Sequence, residues 1–141
     1  MIRRQFGPDD WDLKARQELE AARALAKVSL WQQAFHHAGF ALECALKYRI
    51  MRVRRMNRWP ERQDARELYT HDIVALLLQS GLFEQALGDS YAASPRGIAW
   101  SIAKDWSNDI RYDPRPFPRQ RAVDMLWAVD DMELVLWLLN A

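Results

Sequence analysis

Apolar residues recur along most of this chain at spacings of three and four, and no segment alternates apolar and polar residues as a strand would. The first stripe joins Trp11, Ala15, Leu19, Ala22 and Ala26, and predicts a helix over residues 9–28, with Pro8 suited to its first turn. A second stripe places Trp31, Ala34, Phe35, Ala38, Leu42, Ala45, Leu46 and Val53 on one side of a helix over residues 30–57. At 1.5 Å per residue that helix spans on the order of 40 Å, and Trp59-Pro60 stops it.

Turn chemistry divides the remainder. Thr70 is expected to cap a short helix that begins with His71 and Asp72, carries Ile73, Val74, Leu76, Leu77 and Leu78, and ends at Gly81. Residues 82–87 add a turn or two before a break at Gly88-Asp89-Ser90. Ser94-Pro95 reads as a cap followed by proline at the first helical position, opening a helix with Ile98, Ala99, Ile102 and Trp106 on one face. Pro114, Pro116 and Pro118 end it. A final helix then runs from near Pro118 to the terminus with Val123, Leu126, Trp127, Val129, Leu136 and Trp137. The expectation is an all-α fold, one domain over residues 1–141, built as an antiparallel bundle of four to five helices.

Composition narrows the class. A chain of 141 residues, half of them apolar and seven of them Trp, can bury a substantial core. Charges interrupt every apolar run, so none approaches the ~20 residues of a membrane span. The basic amino terminus lacks the apolar stretch of a secretory signal, and Cys44 has no second cysteine to pair with. A cytoplasmic protein with no membrane contact is expected. The net charge of +1 conceals an asymmetry. Lys47, Arg49, Arg52, Arg54, Arg55 and Arg58 follow one another without an acid, whereas the last helix carries Asp124, Asp130, Asp131 and Glu133. Such a basic cluster suits phosphates, or equally an acidic protein surface.

Three places carry candidate chemistry. On the second helix His36, Glu43, Lys47, Arg54 and Arg58 fall on one stripe opposite the apolar face, with Phe40 among them. An ordinary exposed Glu43–Lys47 pair at four-residue spacing is the plain alternative. Phe40 in a charged stripe is expected to meet a dimer partner or a neighbouring helix. His71-Asp72 offers an imidazole for acid–base work, or merely a capped helix start. Arg111-Tyr112, on a loop stiffened by prolines, could fork onto a phosphate and stack on a base; alternatively Arg111 pairs with Asp109 or Glu43 and Tyr112 packs in the core. No His, Cys or carboxylate spacing suits a metal, no glycine-rich phosphate loop is present, and no cofactor is expected.

These segments resemble the HEPN family. Ala38-Gly39-Phe40-Ala41-Leu42-Glu43-Cys44-Ala45-Leu46-Lys47 is similar to that family's second-helix signature, Tyr69-Thr70-His71-Asp72-Ile73 with Leu76 to the start of its next helix, and Trp100, Lys104, Trp106 and Arg111-Tyr112 to the segment before its last helix. The similarity covers residues 30–137. It implies a HEPN-like bundle, a homodimer, and a role in a prokaryotic defence or toxin–antitoxin system beside a nucleotidyltransferase or another defence protein. The family's ribonucleases place an Arg and a His four to six residues apart near the last helix, and no His follows Arg111 here. Arg66 and His71 have a formally matching spacing, but between the second and third helices. The resemblance therefore implies nucleotide or RNA binding without the usual ribonuclease motif, through Glu43, Lys47, Arg54, Arg55, Arg58, Lys104, Arg111 and Tyr112. Two alternatives stand beside it: a metal-independent ribonuclease using His71 with Arg66 or Arg111, and a non-enzymatic module that binds an acidic protein partner. The expected pocket joins Glu43, Lys47 and Arg111 in one cleft, with the tryptophans hidden.

Overall fold

Apolar and small residues occupy nearly every position at the centre of the second helix, and a helix apolar all round must be covered on all sides. The computed structural model describes residues 6–140, so residues 1–5, with Arg3 and Arg4, and residue 141 lie outside the described residues. It places this helix, α2 (Trp31–Val53), in contact with most of the other elements. From Ala41 to Lys47 every residue of α2 is buried.

Helix α1 (Pro8–Lys27) starts on proline, holds Asp9 and Asp10 in its first turn and Lys27 in its last, each charge facing the favourable end of the helix dipole. A short turn with Ser29 in the left-handed region, φ 62°, returns the chain into α2. The two helices run antiparallel. Glu18 meets His37, the Lys14 ammonium lies 6.0 Å from the Phe40 ring, and the Lys47 ammonium lies 5.1 Å from the Trp11 ring, so contacts descend α1 as they ascend α2. Ala15, Leu19 and Ala22 of α1 and Ala34, Ala38, Ala41 and Ala45 of α2 are buried. Phe40 is half-buried against the core, beside His36 of its own helix and with the Lys14 ammonium of α1 over its ring.

Helix α2 ends at Val53 rather than at residue 57, because Arg55 turns into the left-handed region at φ 55°. A loop with one 3₁₀ turn at Arg66–Leu68 leads to α3 (Ile73–Gln79). Its cap is Asp72, whose carboxylate accepts from the Ala75 amide at 3.1 Å; Thr70 instead accepts from the Asp72 amide at 3.1 Å. His71 therefore stands before the helix, not in its first turn. Gly81, at φ 79°, separates α3 from α4 (Phe83–Tyr91). The expected break at Gly88-Asp89-Ser90 falls inside α4, where the Asp89 carbonyl accepts from the Ser94 amide and hydroxyl at the corner with α5. Helix α5 (Pro95–Ala103) is capped by Ser94, as its sequence predicts.

Trp106 lies beyond α5 rather than on its face, and is buried. Its indole lies flat on α2 at Gly39, where a Cβ would fall inside the ring. Residues 108–112, expected as loop, form a 3₁₀ helix (Asn108–Tyr112) that Gln32 of α2 ties down by donating to the Ile110 and Asp113 carbonyls, both at 2.6 Å.

The expected single final helix is two. α6 (Arg119–Leu126) passes through a π turn at Trp127–Asp131, where the Met132 amide bonds the Trp127 carbonyl at 2.8 Å, and Glu133 at φ 59° then opens α7 (Leu134–Asn140). The reason is a phase shift. Ala122, Met125, Ala128 and Val129 are buried before it and Leu134, Val135, Leu138 and Leu139 after it, and one unbroken 3.6-residue helix cannot turn both sets inward. The described residues thus form seven α-helices and no strand, against the four or five helices expected. Among the described residues no helix is long and apolar enough to cross a membrane.

Gly39→Ala is expected to displace the Trp106 indole and cost about 1–3 kcal/mol of stability. Thermal unfolding with tryptophan emission checks this; an unchanged midpoint would show that the indole yields freely.

Candidate functional site

The candidate site is built around a carboxylate that ought not to be buried. Glu43 is 1% exposed, on the stretch of α2 that is covered all round. Two cations or donors bracket it: the Lys47 ammonium at 3.1 Å from Oε2 and His71 Nδ1 at 2.8 Å from Oε1. A buried charge is tolerated only where it is paired and hydrogen-bonded, and both oxygens are used here. A carboxylate in its ionised form only accepts, which makes His71 Nδ1 the donor of this hydrogen bond when Glu43 carries its charge.

Lys47 is itself buried, and its ammonium lies 5.1 Å from the Trp11 ring and 5.6 Å from the Trp59 ring. Those rings meet edge to face at 5.2 Å, and the Tyr69 ring lies tilted against Trp59 at 6.3 Å. Cation–π attraction and the Glu43 carboxylate together replace the water that Lys47 gives up. The plain alternative of an exposed Glu43–Lys47 pair is thereby corrected, because α2 has no solvent-facing side at these residues.

His71 carries the pair to the surface. Its side chain is 56% exposed and lines a cleft of about 340 Å³ with Thr70, Asp72, Lys104, Trp106, Ser107, Asn108 and Asp109. Lys104 is exposed and pairs with Asp105 at 3.1 Å. Arg111 is also exposed, its guanidinium 4.6 Å from the ring of Tyr112, which is 70% exposed. Neither Arg111 pairing that the sequence suggested, with Asp109 or with Glu43, occurs, and Tyr112 is not in the core. Arg111 acts at a distance instead, on His36.

His36 lies against Trp106 at 6.0 Å, nearly parallel to it, and its Nδ1 is buried without a hydrogen-bond partner. Burial, then the charges of His37 and Arg111, hold its pKa below the ordinary value. His37 bonds Glu18, whose carboxyl burial would raise; hydrogen bonds from His37 and Lys14 outweigh that and hold it low.

The stripe His36, Glu43, Lys47, Arg54, Arg58 does not survive as one surface. Its first members are covered, and Arg54 and Arg58 lie beyond the last turn of α2, where the chain has already changed direction. Arg54 donates to Gln79 at 2.6 Å and lies 3.5 Å from Glu67. Arg52, Arg55, Arg62 and Arg66 are exposed and make no ion pair among the described residues, and Arg62, Gln63 and Arg66 line an open hollow of about 420 Å³. The expected cleft of Glu43, Lys47 and Arg111 is thus divided: Lys47 faces the tryptophans, and His71 rather than Arg111 is the partner through which Glu43 reaches solvent. Trp11, Trp31, Trp127 and Trp137 are only partly buried.

Sequence reasoning missed the Glu43–His71 bond, the tryptophan cover of Lys47 and the Gly39 seat of Trp106. The unbroken run of small and apolar residues around Glu43 was the available signal, since a carboxylate within it must find partners. Buried Cys44 has its thiol pKa pushed up by burial, so it is no nucleophile. No cluster of three or more metal-ligating side chains occurs among the described residues. No protein-family model, curated protein or solved structure matches this chain.

Replacing Glu43 alone strands the Lys47 charge, so Glu43→Ala is expected to cost about 3–5 kcal/mol, and Glu43→Leu with Lys47→Met to recover most of that loss. Denaturant unfolding of the two variants decides it. For His36 the folded pKa lies below the unfolded one, so the unfolded chain binds more protons between the two. The stability this site contributes is present above about 6.5 and lost as pH falls through the folded value. His36→Phe, which keeps a ring on Trp106, is expected to flatten the melting temperature through that window; a curve of unchanged slope would locate the acid sensitivity elsewhere.

Proposed function

We propose that this protein is a HEPN-like, nucleotide- or RNA-binding component of a prokaryotic defence or toxin–antitoxin system. Its helices would form a HEPN-like bundle, acting as a cytoplasmic homodimer beside a nucleotidyltransferase or another defence protein. The observation that carries the binding is the set of exposed guanidiniums without acidic partners, Arg52, Arg55, Arg62 and Arg66, at the end of α2 and the loop that follows. Uncommitted guanidiniums bind phosphate oxygens in a fork and release counterions. Arg54, held by Glu67 and Gln79, supports this surface rather than leading it. Arg111 and exposed Tyr112 supply a second cation with a ring on which a base can stack.

The Glu43–His71 bond favours a second reading, metal-independent cleavage of RNA. With Nδ1 donating to Glu43, Nε2 would take the proton of a ribose 2′-hydroxyl as its oxygen attacks the adjacent phosphorus; the P–O5′ bond breaks, the leaving oxygen takes a proton from water, and the carboxylate stabilises the imidazolium that results.

One RNA panel tests both. Single-stranded RNA is expected to bind with affinity that falls linearly on a logarithmic salt scale, and Arg55→Glu with Arg66→Glu is expected to weaken it at least tenfold and flatten the slope. Binding that ignores salt or these substitutions would sink the proposal. Cleavage in the presence of a chelator, lost in His71→Ala with binding intact, establishes the second reading; intact RNA throughout removes it.

A further inference from the structure

Beside the polar cleft lies a hollow of opposite character. It has a volume of about 90 Å³ between α3, α4 and α5, with walls chiefly of Ile73, Leu77, Phe83, Leu87 and Trp100, and the Ser90 and Ser101 hydroxyls on one side bonded to each other at 3.2 Å. Lys104 belongs to both spaces, lining the hollow and the cleft that His71 opens into. Its ammonium is held only by Asp105 at 3.1 Å, and both side chains are more than half exposed, so an incoming anion displaces a weak surface pair.

We infer that this hollow is a binding site for a small amphiphilic carboxylate, its hydrocarbon end among the α3–α5 side chains and its head on Lys104. The ligand class follows from the lining. A nucleobase would meet two serine hydroxyls already bonded to each other and to the Gly97 carbonyl, and one indole N–H, too few for its several polar edges, at a cost that stacking does not repay. A bare hydrocarbon would gain nothing from the one cation at the mouth. At roughly three-fifths of a 150 Å³ cavity that holds benzene, the space suits about four carbons, with longer chains reaching the rim. Phosphate-bearing polymers are directed to the arginine end of the molecule, so this site is independent of the function proposed above.

The probes are butanoate, pentanoate and hexanoate, titrated into the full chain and followed by amide chemical shifts, with hexanamide as the neutral control. Saturable binding is expected to strengthen about fourfold from butanoate to pentanoate and by less from pentanoate to hexanoate, whose last carbon reaches the rim. Hexanamide and Lys104→Met are each expected to weaken it at least fivefold. Leu87→Asp, on an exposed part of the wall, is expected to abolish it without unfolding the protein. No saturable shift up to the solubility of hexanoate overturns the site. Equal affinity for hexanamide, or an affinity that does not change with chain length, overturns the assigned chemistry. A peptide ending in leucine that binds tighter than hexanoate, and loses its affinity when amidated, would replace the free acid with a polypeptide carboxyl terminus.

Discussion

A buried glutamate needs partners, and much of this molecule is arranged to supply them to Glu43. Removing its carboxylate from water would cost several kcal/mol, so the segment between α2 and α3 must deliver His71 to one oxygen while Lys47 serves the other. Lys47 in turn has to be screened by Trp11 from the start of α1 and Trp59 from the loop after α2. Three segments distant in sequence are therefore tied to one turn of one helix. The same linkage makes His71 a positioned group: its orientation is set from inside the core, while most of its ring remains in solvent.

Around that turn, close packing is achieved with small residues rather than large ones. Gly39 lets the Trp106 ring rest on the α2 backbone, and Gly97 performs the same service where α5 crosses the Asp89 carbonyl of α4. Both glycines matter for approach rather than for backbone freedom. They bring the 106–112 segment and the α4–α5 corner within reach of α3, which is why a polar cleft and an apolar hollow come to share Lys104 as a common wall.

Helix content was legible because amphipathic period needs only local pattern. The stripe of α1, the Ser94-Pro95 start of α5 and Gly81 after α3 were all readable from single residues with known preferences. The errors have a common physical origin in tertiary context. The break in the last helix follows from the phase of the core, which Leu134, Val135, Leu138 and Leu139 reveal only once the neighbouring helices are in place. The helical wheel puts Glu43 and Lys47 on an outer edge because they fall opposite the apolar stripe, whereas α2 is covered all round at these residues and has no outer edge there. The Glu43–His71 bond spans 28 positions, and no local rule relates residues so far apart.

The distribution of charge differs between the two ends. In the His71 cleft, Asp72 is committed to capping α3, Lys104 is shared with Asp105, and Asp109 adds another carboxylate, so the cleft offers a polyanion little net attraction. At the far end of α2 arginines outnumber acids: Glu67 is engaged by Arg54, and Arg52, Arg55, Arg62 and Arg66 make no ion pair among the described residues although Glu61 and Asp64 lie in the same loop. On the reading proposed above, phosphate affinity comes chiefly from the arginines, and any chemistry at His71 relies on its fixed orientation rather than on local positive potential. A ligand strand serving both would have to lie across the loop between α2 and α3, where Arg66, Tyr69 and His71 follow one another along the chain.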